Sequence, residues 1–245
     1  MISVVPKPEA SSIPPWTVRS SVEEGLRLGL EYFTAFMVCG LVFTTPSFML
    51  EMRGVGGFPK FAADILGNAA VQICILCSTF EALAGRMPNV SGTLWQIQRR
   101  NLAKLLIFSM VQALLVILGL ALFAIPGLYL MTLWAVALPA LVLIEDMPFL
   151  DAFRQSASLT KGRRWRVFGV VVACILAAVV TFGLASLLVR FVPIAIERAE
   201  LRTMVLWPVT AIVAAFLYPV PAVLYVLLRQ EKEGLTVEEI VEPFY

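Results

Sequence analysis

The feature that most constrains this chain is a succession of six apolar stretches, each about as long as a bilayer is thick. They cover roughly residues 28–50, 61–83, 102–124, 128–144, 167–189 and 204–228. An α-helix rises about 1.5 Å per residue, so roughly 20 apolar residues cross the ~30 Å hydrocarbon layer. The fourth stretch, which contains Pro139, is only just long enough. No soluble core could hide this much apolar surface. The chain is 60% hydrophobic and 15% charged, with mean hydropathy +0.87, whereas a soluble domain carries about 25% charged residues. In hydrocarbon a lone segment satisfies its backbone polar groups only as a helix. The expected fold is therefore all-α, a polytopic membrane protein with six transmembrane helices across residues 16–230.

The breaks between these stretches organise them into pairs. Residues 51–60, EMRGVGGFPK, form a glycine-rich turn, and Ile125-Pro126-Gly127 is a turn so short that its flanking helices must be antiparallel neighbours. The longer breaks carry the amphipathic segments. From Trp16, the residues Val18, Val22, Leu26 and Leu30 recur at helical spacing opposite Arg19, Glu23, Glu24 and Arg27. Between Ala84 and Arg100, Ser91 is placed to cap a short helix holding Leu94, Trp95 and Ile97. The break at Ile144–Arg166 holds five of the nineteen Lys and Arg residues. Its spacing predicts a short helix after Pro148, lying on the membrane surface, with Phe149, Phe153 and Ala157 on its apolar side. Asp151, Arg154, Gln155 and Ser158 should point away, and Gly162 should stop the helix. The chain thus reads as three hairpins, each preceded by an amphipathic segment. Residues 1–15, rich in Pro and Ser, read as a disordered tail. Residues 231–245 read as a second tail, with a capping box at Thr236 and Glu239. Thr44-Thr45-Pro46 predicts a kink in the first span, with the threonine hydroxyls turned to the freed carbonyls.

Charge sets the expected orientation. Six spans put both termini on one side. Fourteen Lys and Arg residues fall on that side, and five (Arg53, Lys60, Arg190, Arg198 and Arg202) fall on the other. Basic residues accumulate in cytoplasmic loops, so both termini are expected in the cytoplasm.

Two groups of residues are candidate sites. Asp64, Asn68 and Gln72 stand at i, i+4 and i+8 on the second span and so share one helix face. Polar groups in hydrocarbon seek partners or water. Two readings stand. The stripe either lines a polar cavity for a lipid headgroup or an ion, or makes interhelical hydrogen bonds with Gln112, Thr44 or Thr45. The second group is the basic hinge of Lys161, Arg163, Arg164 and Arg166. It anchors the cytoplasmic side and is placed to contact anionic headgroups, each basic residue near the surface adding about 1 kcal/mol. The four cysteines, Cys39, Cys74, Cys77 and Cys174, all fall inside apolar spans and read as packing residues. No histidine is present, which removes the usual general base near neutral pH and the commonest metal ligand. No phosphate-binding loop and no nucleophile elbow is visible. The sequence calls for no cofactor, metal or nucleic acid.

One resemblance adds to this reading. Ile125-Pro126-Gly127-Leu128-Tyr129, then Ala137-Leu138-Pro139, Glu145, and Ala152-Phe153-Arg154-Gln155-Ser156 through Lys161-Gly162 resemble the glycerophosphoryl diester phosphodiesterase membrane-domain family. These are six-span proteins of the bacterial inner membrane, many of them uncharacterised. The likeness covers residues 87–172; the two end hairpins match by hydropathy alone. It implies a helical membrane domain, fused in some relatives to a soluble phosphodiesterase domain that carries the catalysis. The expectation for this chain is a non-enzymatic protein of the cytoplasmic membrane that organises membrane lipids, anionic headgroups above all, or a protein partner. The alternative is a small transporter or channel for a lipid or small solute, using the polar stripe of the second span.

Overall fold

The computed structural model describes residues 17–87, 102–144, 147–191 and 198–242. Among them the chain is all-α, with eleven helices and no strand. In chain order these are α1 (Val18–Glu31), α2 (Phe33–Met52), α3 (Phe58–Leu83), α4 (Leu102–Leu122), α5 (Ala124–Leu133), α6 (Ala137–Leu143), α7 (Phe149–Thr160), α8 (Arg164–Phe191), α9 (Arg198–Leu217), α10 (Pro219–Glu233) and α11 (Val237–Val241). The tail at 1–15, the Ser91 segment with Trp95, Glu145 and the loop at 192–197 lie outside the described residues.

Six helical spans are long and apolar enough to cross a membrane: Phe33–Met52, Phe58–Leu83, Leu102–Leu122, Ile125–Leu143, Arg164–Phe191 and Glu200–Glu233. The protein is a multi-pass membrane protein of three packed hairpins, α2 with α3, α4 with α5 and α8 with α9. The lipid-facing spans are α4 and α8, where Leu114, Leu118, Leu122, Leu176, Val179, Leu184 and Leu188 all point outward. The centre is filled by the second half of α3 together with α6 and α10, whose Phe80, Leu138, Leu143, Leu224, Tyr225 and Leu228 are fully buried.

The fourth and sixth spans are interrupted, each for an identifiable reason. The fourth breaks at Trp134–Val136, just ahead of Pro139, which cannot donate to the preceding turn. Side chains reach the carbonyls at this break. Ser156 Oγ donates to Leu133 O at 2.8 Å, and Gln112 Nε2 donates at 3.1 Å to Trp134 O, which also accepts from the Ala137 amide. In hydrocarbon such replacement is what makes a break tolerable. The sixth span is interrupted at Tyr218, because Pro219 and Pro221 follow. At about 1.5 Å per residue, its 34 residues exceed the bilayer thickness, so it must tilt or bend. The first span, in contrast, runs through Pro46 without interruption. Thr44 and Thr45 donate to Gly40 O and Leu41 O at 2.7 and 2.6 Å, rather than to the carbonyl of Val42 that Pro46 leaves free.

At four places the structure departs from the sequence reading or adds to it. The Ile125-Pro126-Gly127 turn lies inside the first turn of α5, and the chain reverses at Phe123, whose extended backbone caps that helix. Gly127 is still needed: a Cβ there would meet Leu120 Cδ2 at 2.5 Å, so only glycine lets α4 and α5 approach this closely. The first amphipathic segment buries Ser21, Gly25, Leu28 and Gly29, whereas Leu26 and Leu30 are exposed. Its inward face is a small-residue seam seated on α10 and α9, a packing mode in which backbones approach closely. A Cβ on Gly29 would lie 2.8 Å from Ala215 O, the carbonyl that Pro219 deprives of its helical donor. Third, α7 seats one side on the protein and keeps the other exposed. It packs on α6, α10 and α5, burying Ala152, Ser156, Leu159 and Thr160, while Leu150, Asp151, Arg154 and Ser158 stay exposed. Phe153 stacks between Phe108 and Trp134, with both ring centroids at 4.7 Å. Gln155, expected to point outward, has a buried Oε1 with no hydrogen-bond partner. Fourth, the segment at 231–245 is not a free tail. Its capping box forms and starts α11, whose Ile240 and Val241 are fully buried against the core.

Candidate functional site

Both α3 and α9 pack along α2, yet they touch each other only sparsely. The space they leave is a cleft of about 390 Å³. Its walls come from the end of α2 (Thr44, Ser47, Phe48, Glu51), the start of α3 (Ala63, Asp64, Gly67, Asn68) and the start of α9 (Arg202, Thr203, Leu206, Trp207, Thr210). Helix order puts this cleft at the end of the bundle opposite the basic hinge.

Small residues make the cleft possible. Gly67 lies against the backbone of Phe43, where an added Cβ would come within 2.7 Å of the carbonyl oxygen. Gly40 lies equally close to Ala211, at 2.8 Å. These contacts draw α3 and α9 onto α2 and leave their polar side chains facing one another. Trp207 stacks on Phe48, with centroids 4.4 Å apart and planes 18° apart. Its indole N–H donates to Thr44 Oγ1 at 2.9 Å, so the ring is held by both its face and its edge.

The acidic groups are held from one side. Lys60 Nζ lies 3.2 Å from Asp64 and 3.4 Å from Glu51. Ser47 Oγ donates to Asp64 Oδ1, and Thr203 Oγ1 donates to Glu51 Oε1 at 3.0 Å. Arg202, in contrast, makes no ion pair among the described residues and is exposed to the cleft.

The structure divides the predicted stripe. Asp64 and Asn68 line the cleft, and Tyr218 Oη, at the break in the sixth span, donates to Asn68 Oδ1 at 3.4 Å. Gln72 lies one turn deeper, outside the cleft, where Ser109 Oγ on α4 donates to it at 3.4 Å. The partners foreseen for the stripe bond elsewhere, Gln112 to Trp134 and the two threonines within α2. Sequence reasoning missed Glu51, Arg202 and Trp207. Glu51 joins Asp64 through the α2–α3 hairpin, whereas Arg202 and Trp207 lie far away in the chain and are united with them only by the packing of α9 on α2.

At the other end, the basic hinge is partly spent on the protein itself. Arg163 forms a forked pair with Glu231 on α10, with N–O distances of 2.7, 3.0 and 3.2 Å. The hydrogen bonds and charge of Glu231 hold the Arg163 guanidinium above its ordinary pKa. Arg164 donates to Tyr129 Oη at 2.8 Å and lies over that ring. Lys232 Nζ donates back to Ser158 O at the end of α7. Lys161 is exposed as the C-cap of α7, followed by Gly162 at φ +86°, a conformation that favours glycine. Arg166 is exposed in the first turn of α8.

The cysteines pair across helices rather than along one. Cys39 on α2 and Cys74 on α3 have sulfurs 3.0 Å apart, in the buried core. The Cys74-x-x-Cys77 spacing did not indicate this.

Compared with family models, curated proteins and solved structures, the chain matches none.

Proposed function

We propose that this chain is a non-enzymatic lipid-organising protein of the bacterial cytoplasmic membrane. The cleft between α2, α3 and α9 carries the reading. Its wall is half polar and half apolar, it is of headgroup size, and it is set within spans that otherwise present apolar side chains to lipid. Clefts of about 300–1,000 Å³ are the usual size of small-ligand sites. Asp64 and Asn68 supply its acceptors. The resemblance to the phosphodiesterase membrane-domain family supports a membrane role without catalysis.

The basic end serves the opposite leaflet. Lys161 and Arg166 face anionic headgroups on the cytoplasmic side, while Arg163 and Arg164 fix the loop that presents them. The charge count supports this orientation, with both termini inside.

Phospholipid retained through detergent purification tests the reading. The wild-type protein is expected to keep bound phospholipid, and Asp64→Ala with Asn68→Ala is expected to lose most of it. Equal phospholipid in the two proteins would remove the cleft as a lipid site.

A further inference from the structure

The charges around the cleft specify its guest more closely, on the reading that it holds lipid. Glu51, Asp64, Lys60 and Arg202 sum to zero. A guest with net charge leaves this set unbalanced, whereas one carrying both signs does not. The two carboxylates are already oriented by Lys60, Ser47 and Thr203, and oxygens with ordered partners are suited to accept from a further N–H donor. Arg202 offers a planar fork of donors with no carboxylate in it, the geometry that matches a phosphate. The cleft floor is the stacked pair of Trp207 and Phe48, which suits a short alkyl linker between the two charges.

The surroundings distinguish a lipid from a soluble ligand. Phe61, one turn before Asp64 on the same face of its helix, is 54% exposed. It offers apolar surface beside the cleft on which an acyl chain can lie. The cavity itself has room for a headgroup.

We infer that the cleft binds the zwitterionic phosphoethanolamine headgroup of a phospholipid, its phosphate on Arg202 and its ammonium between Asp64 and Glu51. Phosphatidylcholine is a poorer guest, because its trimethylammonium group has no N–H for the carboxylates. Phosphatidylglycerol is poorer because it brings a net negative charge beside them.

The test is binding of short-chain lipids to the detergent-solubilised protein, followed by native mass spectrometry. The probes are dihexanoyl phosphatidylethanolamine, phosphatidylglycerol and phosphatidylcholine, with water-soluble glycerophosphoethanolamine as a fourth arm. Phosphatidylethanolamine is expected to bind about tenfold more tightly than the other three, the scale of one charge-assisted hydrogen bond. Arg202→Gln is expected to weaken every phosphate-bearing probe about tenfold without changing the unfolding temperature, since the guanidinium makes no ion pair among the described residues that the substitution would break. Arg202→Lys should keep part of the affinity. Glu51→Gln with Asp64→Asn is expected to abolish the preference for phosphatidylethanolamine over phosphatidylcholine. Equal binding of phosphatidylglycerol and phosphatidylethanolamine by the wild type, or unchanged affinity in Arg202→Gln, overturns the zwitterion assignment. The lipid cleft survives either result if Asp64→Ala with Asn68→Ala still loses lipid. Glycerophosphoethanolamine binding as tightly as the lipid overturns the acyl-chain part of the inference. Absence of binding in every arm overturns both the inference and the cleft's role.

Discussion

Gly40 sits so close to Ala211 that a Cβ on it would lie 2.8 Å from the alanine methyl and 3.0 Å from its Cα. Neither neighbour can yield, since one is backbone and the other is fixed to it. Gly183, on the lipid-exposed span α8, has nothing within 4 Å of the same position. The two glycines therefore predict opposite outcomes. Gly40→Val should destabilise the bundle by about 1–3 kcal/mol, the usual cost of overpacking. Gly183→Ala should be neutral or stabilising by up to ~1 kcal/mol through helix propensity. Denaturant titration in detergent measures both; a Gly40→Val protein as stable as the wild type would show that α2 and α9 are not in register as described. The same contrast explains what the sequence hid. Val18, Val22, Leu26 and Leu30 mark an amphipathic segment by the rule that, in water, apolar residues seek a partner surface, and they do not say which side meets the protein. Beside lipid that motive is gone, and backbones approach where side chains are smallest. Ser21, Gly25 and Gly29 carried the information, and a hydrophobic pattern passes over them.

The short helix α11 is an element whose existence turns on two side chains. Thr236 Oγ1 accepts from the Glu239 amide at 3.3 Å, and Glu239 Oε2 accepts from the Thr236 amide at 2.8 Å. The second bond, from the Thr236 backbone, holds the Glu239 carboxyl below its ordinary pKa. A depressed folded pKa adds stability that is fully present above the unfolded value, about 4.3 for Glu. That stability is lost as pH falls through the lower folded value. Hydrogen-exchange protection factors at the amides of α11, corrected for the intrinsic rate at each pH, should therefore fall on acidification below the unfolded value, and Glu239→Gln should flatten the response. An α11 equally protected across that range in wild type would discount the cap. This element was legible in outline, since Thr236 and Glu239 announce the box. Its docking was not, because Ile240 and Val241 are two residues whose seat on α3 and α10 is assembled from distant parts of the chain. The cleft was hidden for the same reason. The second span showed Asp64, Asn68 and Gln72, but Arg202 and Trp207 join them only through tertiary packing.

For the molecule as a whole, span number and polarity of the ends were the most legible properties. Apolar length and loop charge are local quantities, and the helices follow them closely. The departures are at the breaks near Pro139 and Pro219, where a missing N–H donor interrupts the helix. The proposed orientation rests on the basic end, which carries Lys161, Arg163, Arg164, Arg166, Arg229 and Lys232. A reporter enzyme that works only outside the cytoplasm should be silent when fused after α11 and active when inserted in the 53–57 turn. The opposite result would invert the assignment.

The seating of α1 has a further consequence, in time rather than in space. Gly25 and Gly29 rest on Val220 and Ala215, so a helix made early packs on helices made late. Closing so long a loop is entropically costly, and contacts of this range slow folding. Until α9 and α10 have been inserted, α1 has no seat, and the bundle stays open along that side. Assembly of this protein is thus a latch that its own last spans must shut.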